Sequence, residues 1–265
     1  MSKIEIYYFS GTGNSLYAVK KLSKSLSDVK LIPIVSLMDE LVIKSNAETV
    51  GFIFPIHMTA APVVVENFIK KIDLSLAKYI FAIATRVGTS HNAFNDIDNI
   101  LKKNNKILDA AFTLNMPSND VKFKSKSPTT EEINKLELAV NNDFLNIIKI
   151  INGKEKNRKP DTSCITRIPF VGLLSRLAKA TDSLQLKFYA DEKCTGCGVC
   201  EKVCLSKKIK LENGRPTWLK EVRCFKCYAC LNYCPKQAVQ IKGYTEGKDR
   251  YCHPYATADE IAAQK

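Results

Sequence analysis

No apolar run in this 265-residue sequence approaches the length that a bilayer-spanning helix needs. The N-terminus, MSKIEIYYFS, also lacks the apolar core and small-residue cleavage site of a secretory signal, and it reads as a strand. A cytoplasmic protein with no membrane span is therefore expected. There is no low-complexity tract. The spacing C-x3-C-x2-C, which radical chemistry on an iron–sulfur centre would use, is absent. No lysine follows Gly13, so a nucleotide-binding G-x4-G-K-S/T loop is excluded. Aromatic residues do not interleave with the basic patches as a stacking platform would require, so no nucleic acid partner is expected.

What is present is ample for a packed interior. Hydrophobic residues make up 45% and charged residues 25%, and the length fits two domains. The formal net charge is +13, densest in KFKSK (122–126), GKEKNRK (153–159) and KKIK (207–210). Such a balance suits an acidic partner, and it also serves solubility.

Residues 1–152 alternate short apolar runs with amphipathic segments. Strands are expected at 4–9, 29–35, 49–56, 79–85 and 107–115. Helices are expected between them. Leu16, Val19 and Leu22 repeat at helical spacing in the first, and Pro62 suits the first turn of the second. A third covers 91–105. The last covers 129–152, where Thr129 and Glu132 have capping-box spacing. Ile133, Leu136, Val140, Phe144, Ile147 and Ile151 form its apolar stripe. Alternating strands and helices imply a doubly wound five-stranded parallel sheet of order 2-1-3-4-5, with its ligand crevice at the carboxyl ends of the strands. Residues 153–187 read as a basic linker and a connecting helix. The apolar stretch 168–180 suits packing between domains, with a partner or membrane contact as the alternative.

Eight of the ten cysteines lie between 194 and 234. Cys194, Cys197, Cys200 and Cys204 have C-x2-C-x2-C-x3-C spacing. Cys224, Cys227, Cys230 and Cys234 repeat it, followed by Pro235. Three thiolates two residues apart can curl around one iron–sulfur cube, while the fourth reaches the neighbouring one. Cys194, Cys197, Cys200 and Cys234 are thus expected to hold one 4Fe–4S cluster. Cys224, Cys227, Cys230 and Cys204 are expected to hold the other. Zinc is the rival, but zinc ribbons use two C-x2-C pairs with a long gap. Cys164 and Cys252 fall outside the pattern and read as free thiols. From these residues, 188–242 resembles the bacterial two-cluster ferredoxins, a small α+β domain. Leu205 follows Cys204 where that family usually has proline. Residues 243–265 remain as a C-terminal tail.

The stretch SGTGNS (10–15) sits between the first strand and first helix, where backbone N–H groups and the helix dipole favour an anion. A dinucleotide loop needs a third glycine where Leu16 stands. Ser10, Thr12 and Ser15, with Asn14, can instead hydrogen-bond a phosphate monoester. With Gly11 and Gly13 they form a loop similar to the (S/T)-x-T-G-x-(T/S) phosphate loop of flavodoxins. That resemblance covers residues 1–152 and implies FMN. It also implies that the loops after the third and fourth strands, Pro55, Ile56, His57 and Met58, then Thr85, Arg86, Val87 and Gly88, fold over the flavin ring. Neither loop has the Trp or Tyr common there, so His57 and Met58 would cover one face. Arg86 at the flavin N1 edge would raise the potential; a solvated or ion-paired arginine is the alternative.

Together the two halves resemble the flavodoxin–ferredoxin fusion proteins of anaerobes. The resemblance implies electron transfer between redox partner proteins, acidic ones given the basic charge, through two 4Fe–4S clusters and FMN. A flavin-dependent reductase with its own small substrate beside His57, Thr59 and His91 is the alternative. If one chain cannot bring flavin and clusters together, a homodimer would.

Overall fold

A computed structural model describes residues 3–57, 60–87, 92–121, 126–158 and 186–265. Strands β1 (Ile4–Tyr8), β2 (Val29–Pro33), β4 (Thr49–Pro55), β6 (Tyr79–Arg86) and β7 (Ala110–Asn115) form one parallel sheet ordered β2-β1-β4-β6-β7. This is the expected 2-1-3-4-5 winding. Two short strands not legible in the apolar pattern, β3 (Ile43–Lys44) and β5 (Ile72–Asp73), pair with each other beside it.

The central strands are mostly apolar because both faces of the sheet are covered; Glu5, buried in β1, is held by the Tyr7 and Ser45 hydroxyls. Tyr7, Phe52, Phe54, Ala82 and Ala84 face one side, against α2 (Val63–Lys71) and α3 (Ala93–Leu101). Their neighbours Ile6, Ile53, Phe81 and Ile83 face the other side, against α1 (Asn14–Ser23) and α4 (Thr130–Asn152). The period of two along each strand thus sorts the side chains into two cores. Pro62 takes the cap position just before α2. Helix α4 starts at the expected capping box: the Thr129 hydroxyl accepts from the Glu132 N–H, and the Glu132 carboxylate accepts from the Thr129 N–H. Its stripe is buried from Val140 onward, whereas Ile133 and Leu136 are half-buried. Among the described residues no helix is long and apolar enough to cross a membrane.

The C-terminal part is built from small pieces. Strand β8 (Phe188–Ala190) pairs antiparallel with β11 (Val239–Ile241), and β9 (Ile209–Glu212) with β10 (Arg215–Trp218) around an Asn213–Gly214 turn. Each cysteine run leads into a four-residue helix, Val199–Lys202 in the first copy and Ala229–Asn232 in the second. The sequence repeat is therefore also a structural one.

The two parts share apolar core. Val203, Leu205 and Ala229, each no more than 1% exposed, pack with Phe9, Phe52 and Phe54 of the sheet. Leu205 is the residue that departs from the usual ferredoxin proline, and its side chain is spent on this contact. The tail also returns to the first domain. Its helix Ala258–Ala262, capped by Thr257 and Glu260, sends the fully buried Ile261 into the same core. The connecting helix expected at 168–180, most of the linker and Cys164 lie outside the described residues. Leu205→Ala should cost about 2–5 kcal/mol, as a cavity in a packed core does. Denaturant unfolding followed by the helical signal measures it; a loss below about 0.5 kcal/mol would contradict the shared core.

Candidate functional site

The cysteines form two groups. Cys194, Cys197 and Cys200 line one small cavity together with Cys234, the last cysteine of the other run. Burial pushes the Cys200 thiol up to about 11, and the nearby Cys234, Cys194 and Cys197 add to it. Burial likewise pushes Cys227 up to about 12 and raises Cys224 and Cys230, and Cys204 of the first run contributes to all three. In each group, then, the fourth nearby cysteine comes from the other run. Thiols raised in this way stay protonated until a strong positive centre displaces the proton, which iron does.

The backbone around them is shaped alike in both copies. Gly196 and Gly198 adopt left-handed φ values of 69° and 76°. Lys226 and Tyr228 stand at the equivalent places of the second copy with φ values of 55° and 58°. Non-glycine residues rarely accept that region, so the turn is imposed by the wrap itself. Sulfur atoms also receive backbone donors: Lys226 N–H to Cys224 Sγ at 3.3 Å and Ala238 N–H to Cys234 Sγ at 3.2 Å. Among the described residues no three Cys, His, Asp or Glu side chains converge on one metal ion. A four-iron cube takes one thiolate at each corner and keeps the sulfurs apart.

The stretch 10–15 links β1 to α1. Ser10 Oγ accepts from the N–H groups of Gly13 and Leu16, both at 3.2 Å, which curls the loop on itself. Ser15 Oγ and Thr85 Oγ1 share a hydrogen bond of 2.8 Å, and Thr12 Oγ1 accepts from Asn119. Asn14 and Ser15 open α1, so their N–H groups have no acceptor within the helix. The Asn14 side chain ties distant pieces together: its Nδ2 donates to the Pro117 carbonyl, and its Oδ1 accepts from the Tyr251 hydroxyl.

A cavity of about 220 Å³ opens here, at the carboxyl ends of β1, β4, β6 and β7. Ser10, Gly11, Thr12, Asn14 and Ser15 line it from one side, Pro55 and Ile56 with Thr85, Arg86 and Val87 from others, and Pro117–Asp120 closes it. Arg86 Nη2 donates to Thr113 Oγ1 at 3.0 Å. Gly13 and His57 are not among the lining residues. His57 instead forms a two-way backbone bridge with Ala60 and sets its ring edge-on to Phe9, centroids 6.0 Å apart. Met58, Thr59, Gly88 and His91 lie outside the described residues.

The cavity and the second cysteine run share a wall. A Cβ placed on Gly11 would stand 2.2 Å from the Cys227 carbonyl oxygen and 2.8 Å from its Cβ. Only glycine permits that approach. The loop after β7 is held from the same side, since Asn232 Nδ2 donates to the Asn119 carbonyl and Val121 packs in a core with Cys200 and Cys204.

Residues 193–239 match the 4Fe–4S dicluster domain family. Ahead of that region stands the doubly wound parallel sheet of order 2-1-3-4-5, a flavodoxin-like fold. No curated protein matches this sequence. Solved structures similar to part of this chain include a protein described as a flavoprotein from Bacteroides uniformis ATCC 8492, at 18% identity, TM-score 0.36, and covering 43% of this chain and 90% of that one. The rubredoxin oxygen:oxidoreductase of the anaerobe Desulfovibrio gigas is similar at 19% identity and TM-score 0.37; the match covers 58% of this chain and 37% of that one. The Trp repressor binding protein of Bacillus subtilis gives 12% and 0.34, covering 60% of this chain and all of that one. At these scores no activity carries over from them.

Two segments around the phosphate loop carry little signal in the sequence: the loop Pro117–Asp120, which lines the cavity, and the tail, which packs behind residues 10–13. The loop Pro117–Asp120 follows the fifth strand, where the crevice rule alone would have pointed. The tail does have Thr257 and Glu260 at capping-box spacing ahead of an apolar residue. Within the tail, His253 is 1% exposed, stacks on Tyr17 at 4.3 Å, and donates its backbone N–H to the Thr12 carbonyl at 2.8 Å. Burial first, and then the Lys20 charge, hold its pKa down at about 4. A histidine depressed in this way binds its proton better when released. Its contribution is complete above the unfolded pKa of about 6.5 and is lost as pH falls toward 4. Protection of the amides of residues 253–264 against exchange, taken relative to the intrinsic rate at each pH, should accordingly fall between pH 7 and pH 5. His253→Phe, which keeps the stack, should flatten that dependence; an unchanged profile in the variant would remove His253 as its cause.

Proposed function

We propose that this chain carries electrons between two 4Fe–4S clusters and an FMN whose phosphate lies in the 10–15 loop. Cys194, Cys197, Cys200 and Cys234 hold one cluster, and Cys224, Cys227, Cys230 and Cys204 the other. The observation that carries the reading is the contact of Gly11 with Cys227, because it sets the phosphate loop against a cluster loop within one chain. No dimer is then needed to bring the two cofactors together. When bound, the clusters supply one-electron steps and the flavin joins them to one- or two-electron chemistry.

The residues fit such a cofactor. The N–H groups of Asn14 and Ser15 are orphan donors at the positive end of α1, and Ser10, Thr12 and Ser15 each keep hydrogen-bonding capacity for a phosphate oxygen. Arg86 adds a positive charge on the cavity wall. The cavity of about 220 Å³ is smaller than the roughly 300 Å³ at which whole-ligand pockets begin, so it would grip the phosphate end. The ring would then lie toward Pro55, Ile56 and Val87.

Anaerobic analysis of fresh protein should find about eight irons, matching sulfide, and about one FMN per chain. Eight irons with no flavin, even after FMN is added, would remove the flavin half of the reading. The net charge of +13 favours acidic redox partner proteins. Reduction by such a carrier should slow severalfold between low salt and about 0.5 M salt. A rate indifferent to salt would remove the acidic partner.

A further inference from the structure

The tail does more than cover the first domain. Gln264 is fully buried. Its Oε1 accepts from the Ser10 N–H at 2.9 Å, and its Nε2 donates to the Ser10 carbonyl at 2.8 Å. One amide thus takes both main-chain groups of the residue that begins the loop. The Ser10 side chain then sets the next turn, since its Oγ accepts from Gly13 and Leu16. Two residues further on, His253 N–H fixes the Thr12 carbonyl.

The segment that presents Gln264 is itself anchored from both domains. Its five-residue helix, Ala258–Ala262, is too short to persist alone. Lys20 of α1 pairs with Glu260, and Lys202 of the dicluster domain pairs with Asp259. Lys265 Nζ donates to the Lys202 carbonyl at 2.7 Å, and the Tyr233 hydroxyl donates to the Ala256 carbonyl at 3.0 Å. The side chain of Gln264 has a further internal partner in the Ile261 carbonyl, at 3.2 Å, so its amide orientation is determined by three contacts.

From this geometry we infer that Gln264 is a positioning residue for the phosphate loop, and that it makes the cleft select a phosphorylated flavin over the unphosphorylated one. The inference rests on the flavin reading above. Gln264 touches no ligand-facing atom of the cavity. It acts through Ser10, holding the loop in the one curl that turns its hydroxyls and the α1 donors inward. A loop released from that curl would lose phosphate contacts and leave the ring side of the cleft as it was.

The test titrates the full, cluster-loaded chain with FMN and separately with riboflavin, following the quenching of flavin fluorescence. Wild type should bind FMN more tightly. Gln264→Ala should weaken FMN about tenfold, as two lost hydrogen bonds imply, and leave riboflavin affinity and iron content unchanged. Gln264→Met, which keeps the volume, should do the same. Equal weakening of both flavins, no change in either, or loss of iron along with FMN in both variants would overturn the positioning role and leave a structural strap. A wild-type chain with no preference for FMN would overturn the phosphate reading of the loop itself. That failure shows before any variant is made.

Discussion

The contact between Gly11 and Cys227 constrains much of the rest of this molecule. A loop that curls to offer its N–H groups to an anion has to be thin, and so does a loop that wraps a cluster. Here two such loops meet, and a single Cβ on Gly11 would overlap the Cys227 carbonyl. Backbone against backbone at that distance leaves no room for water or for sliding. The two domains must therefore hold a fixed register, which explains why the dicluster domain sends Val203, Leu205 and Ala229 into the core of the sheet domain. A solvated hinge would let the loops drift apart by more than the contact tolerates.

The same constraint explains a departure from family habit. Proline after the fourth cysteine would suit a free-standing ferredoxin, since it stiffens a turn that faces water. At position 205 that turn faces Phe9 and its neighbours, and an apolar side chain gains more by burial than proline gains by rigidity. Asn232 shows the polar version of the argument. Its side chain donates to the Asn119 carbonyl on the cavity wall and accepts from the Tyr251 N–H in the tail, so one residue beside the second cysteine run ties the cavity wall to the tail.

Local chemistry made much of this legible in the sequence. Buried parallel strands are continuous apolar runs, so the five main strands stood out, and capping residues marked the start of α4. That Cys234 lies with the first run and Cys204 with the second follows from a repeat that carries its own geometry. What stayed hidden depends on contacts with no local signature. Gln264 meets Ser10 across 254 positions of chain, and nothing near either residue announces it. His57 also has partners with no local signature: its backbone bridges to Ala60, and its ring sits edge-on to Phe9. The turn positions of the second cysteine run were equally unreadable, since Lys226 and Tyr228 carry no mark of the left-handed backbone they are forced to adopt.

The two cysteine groups are not equivalent, and the asymmetry follows from where the domains meet. Cys197 is exposed and its cavity is bordered by the exposed Lys236. Cys227 and Cys230 pack against the shared core, and burial raises both thiols strongly. A charged centre in the second group is therefore less well solvated than one in the first. Backbone dipoles, such as the Lys226 N–H on Cys224, and the cationic side chains of Lys208 and Lys226 must do there what water does at the outer group. Under the proposed function this gives the chain an outer centre that solvent and partners can reach and an inner one that meets the phosphate loop.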